Sequence, residues 1–115
     1  MSVRNRTRRT VLGETLLTLN VHFSKTLKHL NNGGIPGGCV LWISPCRGIF
    51  TVGNNQPVDI AFLDKDGTVV KILRNFPPDN FADSVPAAVS AIEMPADVLS
   101  RSKTAVGDRL EFELA

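Results

Sequence analysis

Residues 57–73 constrain the fold more tightly than any other stretch of the chain. Pro57-Val-Asp-Ile-Ala-Phe-Leu63 is apolar apart from Asp59, Asp64-Lys-Asp-Gly67 carries turn chemistry, and Thr68-Val-Val-Lys-Ile-Leu73 is rich in β-branched residues. An apolar run of that length between turn signals reads as a strand buried on both faces, and the return run predicts an antiparallel hairpin. Pro57 at the start is compatible, because a missing N–H is tolerated at the first residue of a strand. A hairpin alone is marginal in water, so the rest of the chain must supply strands to extend it and an apolar layer to cover it.

Further strands are predicted on both sides. Thr10 to Phe23 reads largely as β, with Leu17, Leu19, Val21 and Phe23 alternating with Leu16, Thr18, Asn20 and His22. Cys39-Val-Leu-Trp-Ile43 and Gly48-Ile-Phe-Thr-Val52 flank Ser44-Pro-Cys-Arg47 and read as a second hairpin. Ala88 to Met94 and Arg109 to Leu114 complete the set, the last with Leu110, Phe112 and Leu114 on one face. Two short helices are expected. Ser24 is a fitting N-cap for residues 25–30, where Leu27 and Leu30 would share a face, and Pro95 opens a second helix to Arg101. The Gly- and Pro-rich segment 31–38 is a loop, and so is 75–86, whose prolines oppose a helix or a central strand. The fold class is therefore mainly β, with α+β as the other option: a compact antiparallel β-barrel or sandwich-like domain with two short helices.

Composition bounds the class. The chain has 115 residues, 43% hydrophobic and 21% charged, which suits one ordinary globular domain and argues against a disordered chain. No apolar run approaches the ~20 residues of a membrane-spanning helix. Arginines ahead of Val11 and Leu12 imitate a secretory signal, but Glu14 and the nearby threonines interrupt the apolar region, so none is read. Charge is uneven. Arg4, Arg6, Arg8 and Arg9 have no acidic neighbour, whereas the remainder holds nine basic residues against eleven acidic. Residues 1–9 are expected to be a flexible basic arm and residues 10–115 a single β-rich domain. The arm permits phosphate contacts, yet the acidic body lacks an aromatic-basic sheet face, so nucleic acid is not the expected partner.

Chemistry-bearing residues are few. Cys39 and Cys46 are too few for a disulfide scaffold, and with His22 and His29 they lack the paired spacing of a zinc site. Gly33-Gly34 and Gly37-Gly38 precede a strand rather than a helix, so they form no phosphate loop. No catalytic motif, metal site or cofactor is implied. Asp59 stands out as a carboxylate inside an otherwise apolar strand. It acts either as a pocket-lining acceptor or base, or as a structural acceptor for backbone N–H groups. Trp42 and Phe50 would pair across the predicted hairpin as core or as a pocket wall. Phe76 and Phe81 would close over the domain as a lid or offer a partner patch.

Three blocks resemble the domain of unknown function family 192 of bacteria and archaea: residues 57–72, Ser90-Ala-Ile-Glu-Met-Pro-Ala96, and Val106-Gly-Asp-Arg-Leu-Glu-Phe112. Residues 17–30 also fit that family's opening strand and short helix. The resemblance implies a compact β-rich domain, relatives that are often secreted or envelope-associated, and no established enzymatic activity. Where members carry a Trp-Met-x-Asn-Thr-like block, this chain has Phe50-Thr-Val-Gly-Asn54-Asn55. The functional expectation is a non-enzymatic binding or accessory module for a protein or small-molecule ligand, using Asp59, Trp42, Phe50, Asn54, Asn55 and Phe76. The alternative is a small hydrolase-like enzyme with Asp59 as base and Asn54 or Asn55 beside it. A third reading is an electrostatic adaptor working through the arginine arm.

Overall fold

The expected hairpin of residues 57–73 lies inside a larger sheet. The computed structural model describes residues 1–20, 35–46, 49–50, 56–78, 80–82 and 85–113. Strands β3 (Thr15–Asn20), β4 (Cys39–Ser44), β9 (Ser90–Pro95), β6 (Val58–Leu63) and β7 (Val69–Phe76) form a five-stranded sheet in that order. Its pairings are antiparallel except for β3 on β4, which is parallel. All six residues of β6 are buried, as an apolar run between two covered faces requires. A second sheet has β1 (Ser2–Asn5) between β10 (Leu110–Glu113) and β2 (Thr10–Gly13), both pairings antiparallel. Strands β5 (Ile49–Phe50) and β8 (Phe81–Ala82) form a separate two-stranded ribbon.

Side-chain alternation sorts the core into two layers. On one face of the five-stranded sheet Val40, Ala61, Leu63, Val69, Ile92 and Met94 meet Val3, Leu12 and Leu110 of the second sheet. Val98 and Leu99 of the helix α1 (Val98–Arg101) join the same layer. On the other face Leu41, Ile43, Val58, Ile60, Phe62 and Ala91 pack with Val85 and Ala88. The architecture is mainly β and sandwich-like on the first face. Among the described residues no sheet closes into a barrel, and none of the helices is long and apolar enough to cross a membrane.

Several expectations are corrected. The described residues contain one helix rather than two; the helix expected over residues 25–30 lies outside them. Residues 39–43 do not pair with Ile49–Phe50, the described part of the expected partner strand, because β3 and β9 take both edges of β4, and β5 pairs with β8 instead. The stretch from Thr10 onward divides at Glu14 into strands of different sheets. The change of sheet falls at Gly13, where a Cβ would lie 2.7 Å from Val40 Cγ2 and 2.8 Å from the Gly38 carbonyl oxygen.

Residues 2–5 are not an arm. They form the central strand of the second sheet, with Val3 and Asn5 fully buried. Alternation accounts for this, since Val3 and Asn5 point inward while Ser2 and Arg4 point outward beside Glu113 and Glu111. Asn5 also anchors a buried polar cluster. Its Nδ2 donates to Thr104 Oγ1 and to Asp108 Oδ2, both at 2.9 Å, and its Oδ1 accepts the Arg8 N–H at 3.0 Å. Asp108 Oδ2 further accepts Arg8 Nε and the Ala105 N–H, each at 3.0 Å. Burial works to raise the Asp108 carboxyl. Hydrogen bonds from Asn5, Arg8 and Ala105, with the charge of Arg8, outweigh that effect and hold it below its ordinary 3.8.

Candidate functional site

Asp59 sits where β6 meets an irregularity of β7. Val58 lies opposite Phe76 and Ile60 opposite Leu73, so Arg74 and Asn75 together face Asp59. This is a β-bulge, and Asn75 adopts φ 51°, a left-handed conformation that Asn tolerates better than most residues. The bulge takes the Asn75 N–H out of the regular ladder, and Asp59 Oδ1 accepts it at 2.9 Å. Asp59 Oδ2 accepts the Leu99 N–H, also at 2.9 Å. Leu99 is in the first turn of α1, whose preceding residue Asp97 makes no side-chain cap. A carboxylate from a distant strand therefore satisfies a helix-terminal donor. Asp59 is fully buried, with both oxygens engaged by backbone amides.

Of the other sequence-predicted positions, Phe76 and Trp42 do not gather round it. Phe76 lies opposite Val58 and packs against the core layer on the far face of the sheet from Asp59. Phe50 is in β5, in register with Phe81. Asn54 and Asn55 lie outside the described residues. Trp42 shares a sheet face with Asp59, but β9 separates their strands: Trp42 is opposite Ile92, and Asp59 is opposite Met94. The ring of Trp42 meets Phe112 of β10, with centroids 4.7 Å apart and planes at 50°. This tilted contact joins the two sheets.

Trp42 also lines a cleft of about 270 Å³. Its apolar wall is Trp42, Leu63, Val89, Leu110 and Phe112, and Ser44 and Ser90 contribute hydroxyls. The turn 64–67 and Glu111 form a rim with three carboxylates (Asp64, Asp66 and Glu111) and one ammonium, Lys65. The turn is held by Asp64 Oδ1, which accepts the Asp66 and Thr68 N–H groups at 2.9 and 3.0 Å. Gly67 closes it at φ 81°. The indole Nε1 of Trp42 is buried and has no acceptor among the described residues. Sequence reading singled out Trp42 but missed its partners. Phe112 and the 64–67 turn are distant in sequence from residue 42, and no local pattern signals their approach.

A second cleft, of about 440 Å³, lies on the outer face of the three-stranded sheet, lined by Arg4, Asn5, Arg6, Arg9, Glu111 and Glu113. Its charges are mixed, and Arg4 approaches Glu113 at 3.7 Å. Arg8 is drawn away to Asp108.

The fold and this site define a small, mainly β domain in which two sheets meet at an aromatic-walled cleft. The chain belongs to DUF192, the family described as Uncharacterized ACR, whose model matches residues 38–112. All three sequence blocks that carried the resemblance lie within that span. No curated protein matches. A crystal structure of a protein of unknown function from Novosphingobium aromaticivorans is similar with a TM-score of 0.77 at 17% identity, over 96% of this chain and 82% of that one. A candidate transcription regulator from Sinorhizobium meliloti is similar with a TM-score of 0.72 at 15% identity, over 96% and 89%. At these identities the likeness is one of fold. It extends over the N-terminal strands that precede the family match.

Proposed function

We propose that this uncharacterised β-rich domain is a non-enzymatic binding module and that the Trp42–Phe112 cleft is where it engages its ligand. The observation that carries the reading is an open cleft walled by Trp42 and Phe112, with the Ser44 and Ser90 hydroxyls beside them and the Asp64, Asp66 and Glu111 carboxylates at the rim. Apolar walls with a few polar groups are the usual make-up of a ligand site. The hydrolase alternative gains no support from Asp59, because a general base needs a lone pair within reach of substrate, and both of its oxygens already hold backbone amides. The adaptor reading loses its flexible arm, since residues 2–5 are strand.

Trp42 is the sole tryptophan, so intrinsic fluorescence reports on the cleft alone. Screening a fragment and peptide collection should give ligands that shift Trp42 emission and its indole N–H resonance. A collection that binds elsewhere or not at all, leaving both signals unmoved, would sink the reading.

A further inference from the structure

The Trp42 cleft lies beside the outer edge of β10, which residues 67–69 cover up to Leu110 and which, among the described residues, is open at Phe112. Arg109 accepts the Arg6 N–H at its carbonyl at 2.8 Å, so its polar groups face β1, whereas the Leu110 N–H turns the other way to the Gly67 carbonyl at 2.9 Å. Continuing that alternation, Glu111 and Glu113 face β1, and the N–H and C=O of Phe112 face away from it. Strand β10 ends its sheet, and no described residue pairs with it on that side at Phe112. The same residue supplies an aromatic wall of the cleft. A backbone donor and acceptor therefore stand beside an apolar cavity.

Resting on the binding reading above, we infer that the partner is an extended, basic peptide segment that adds to β10 at Phe112 and places one side chain in the Trp42 cleft. Three observations select this occupant. The free backbone pair at Phe112 is what strand addition uses, with main-chain hydrogen bonds for affinity and a pocket for a side chain. A cleft of about 270 Å³ falls below the ~300–1,000 Å³ that encloses a drug-sized molecule, so it fits a side chain better than a whole ligand. The rim of Asp64, Asp66 and Glu111 against Lys65 favours a lysine or arginine, whose apolar stem would lie along Trp42 and Phe112 with its charge at the rim. A second copy of this chain is disfavoured there, because edge-to-edge pairing would bring the acidic residues of both β10 strands together.

The probe is a synthetic peptide of alternating lysine and valine, compared with the same peptide N-methylated at alternate backbone positions and with butylamine. The unmodified peptide should shift Trp42 emission and the Phe112 amide resonance, and N-methylation should weaken it about tenfold by removing main-chain hydrogen bonds. Asp66→Asn combined with Glu111→Gln changes only partly or fully exposed rim positions. It should weaken the peptide about three- to tenfold at low salt, with a smaller effect at high salt. If butylamine or an uncharged fragment moves Trp42 as strongly as the peptide, or N-methylation has no effect, the strand-addition proposal fails while the binding reading stands. If nothing moves Trp42, both fail.

Discussion

Asp59 shows how a single side chain can join elements that are far apart in sequence. Its two oxygens answer donors that neither the β6–β7 ladder nor α1 satisfies internally. Asp59→Asn keeps one acceptor but turns an amide N–H toward a backbone N–H. The substitution should destabilise the domain by about 2–3 kcal/mol, read as a lower urea midpoint with an unchanged slope. The corresponding test of the binding reading is that the variant, at temperatures where it stays folded, retains its Trp42 response to peptide. Gly67 is a separate single-residue test. At φ 81°, with a Cβ position 2.9 Å from the Leu110 carbonyl oxygen, Gly67→Ala should cost about 1–3 kcal/mol and move the turn that rims the cleft. The presence of a polar residue at 59 was legible in the sequence; its partners were not. A bulge and a helix terminus become neighbours of β6 only once the sheet and α1 have packed.

The 102–108 segment is tied to the β1–β2 turn through Asp108, so the join between these elements depends on ionisation. The Asp108 carboxyl titrates lower folded than unfolded. Its contribution is therefore fully present above about 3.8 and is lost as the pH falls from there through the folded value. Relative to Asp108→Asn, the native chain should be more stable at neutral pH, and chemical denaturation should show that advantage shrinking below about pH 3.8. The hairpin of residues 57–73 was legible because its apolar run and its turn chemistry are contiguous. The bulge within it was less so, because Asn75 looks like loop composition until the register against Val58 and Ile60 is known. The proposed pairing of residues 39–43 with 48–52 shows the opposite case. Two β-competent segments around a turn make a plausible hairpin, yet β4 has only two edges and β3 and β9 occupy them.

The N-terminal segment has the largest consequence for the domain as a unit. Removing residues 1–9 would take out the strand between β10 and β2 together with Val3, Asn5 and the Arg8–Asp108 contact. The truncated chain should unfold or lose most of its cooperative transition, whereas a flexible arm would leave the midpoint unchanged. Hydrogen exchange should likewise find protected amides within residues 2–5. Local pattern determined much of this protein. The burial of β6, the β-rich class, the turns at 64–67 and 106–108, and the family blocks all follow from contiguous residues whose spacing matches a strand or a turn. Four arginines in nine residues concealed the period-two alternation of Val3 and Asn5, because charge dominates so short a segment. The tertiary structure decided the rest: the parallel β3–β4 pairing, the Trp42–Phe112 contact and the cleft beside β10 at Phe112. Each of these joins strands separated by long stretches of chain. Pairings of that kind are selected by the combined fit of two sheet faces, which no single segment encodes.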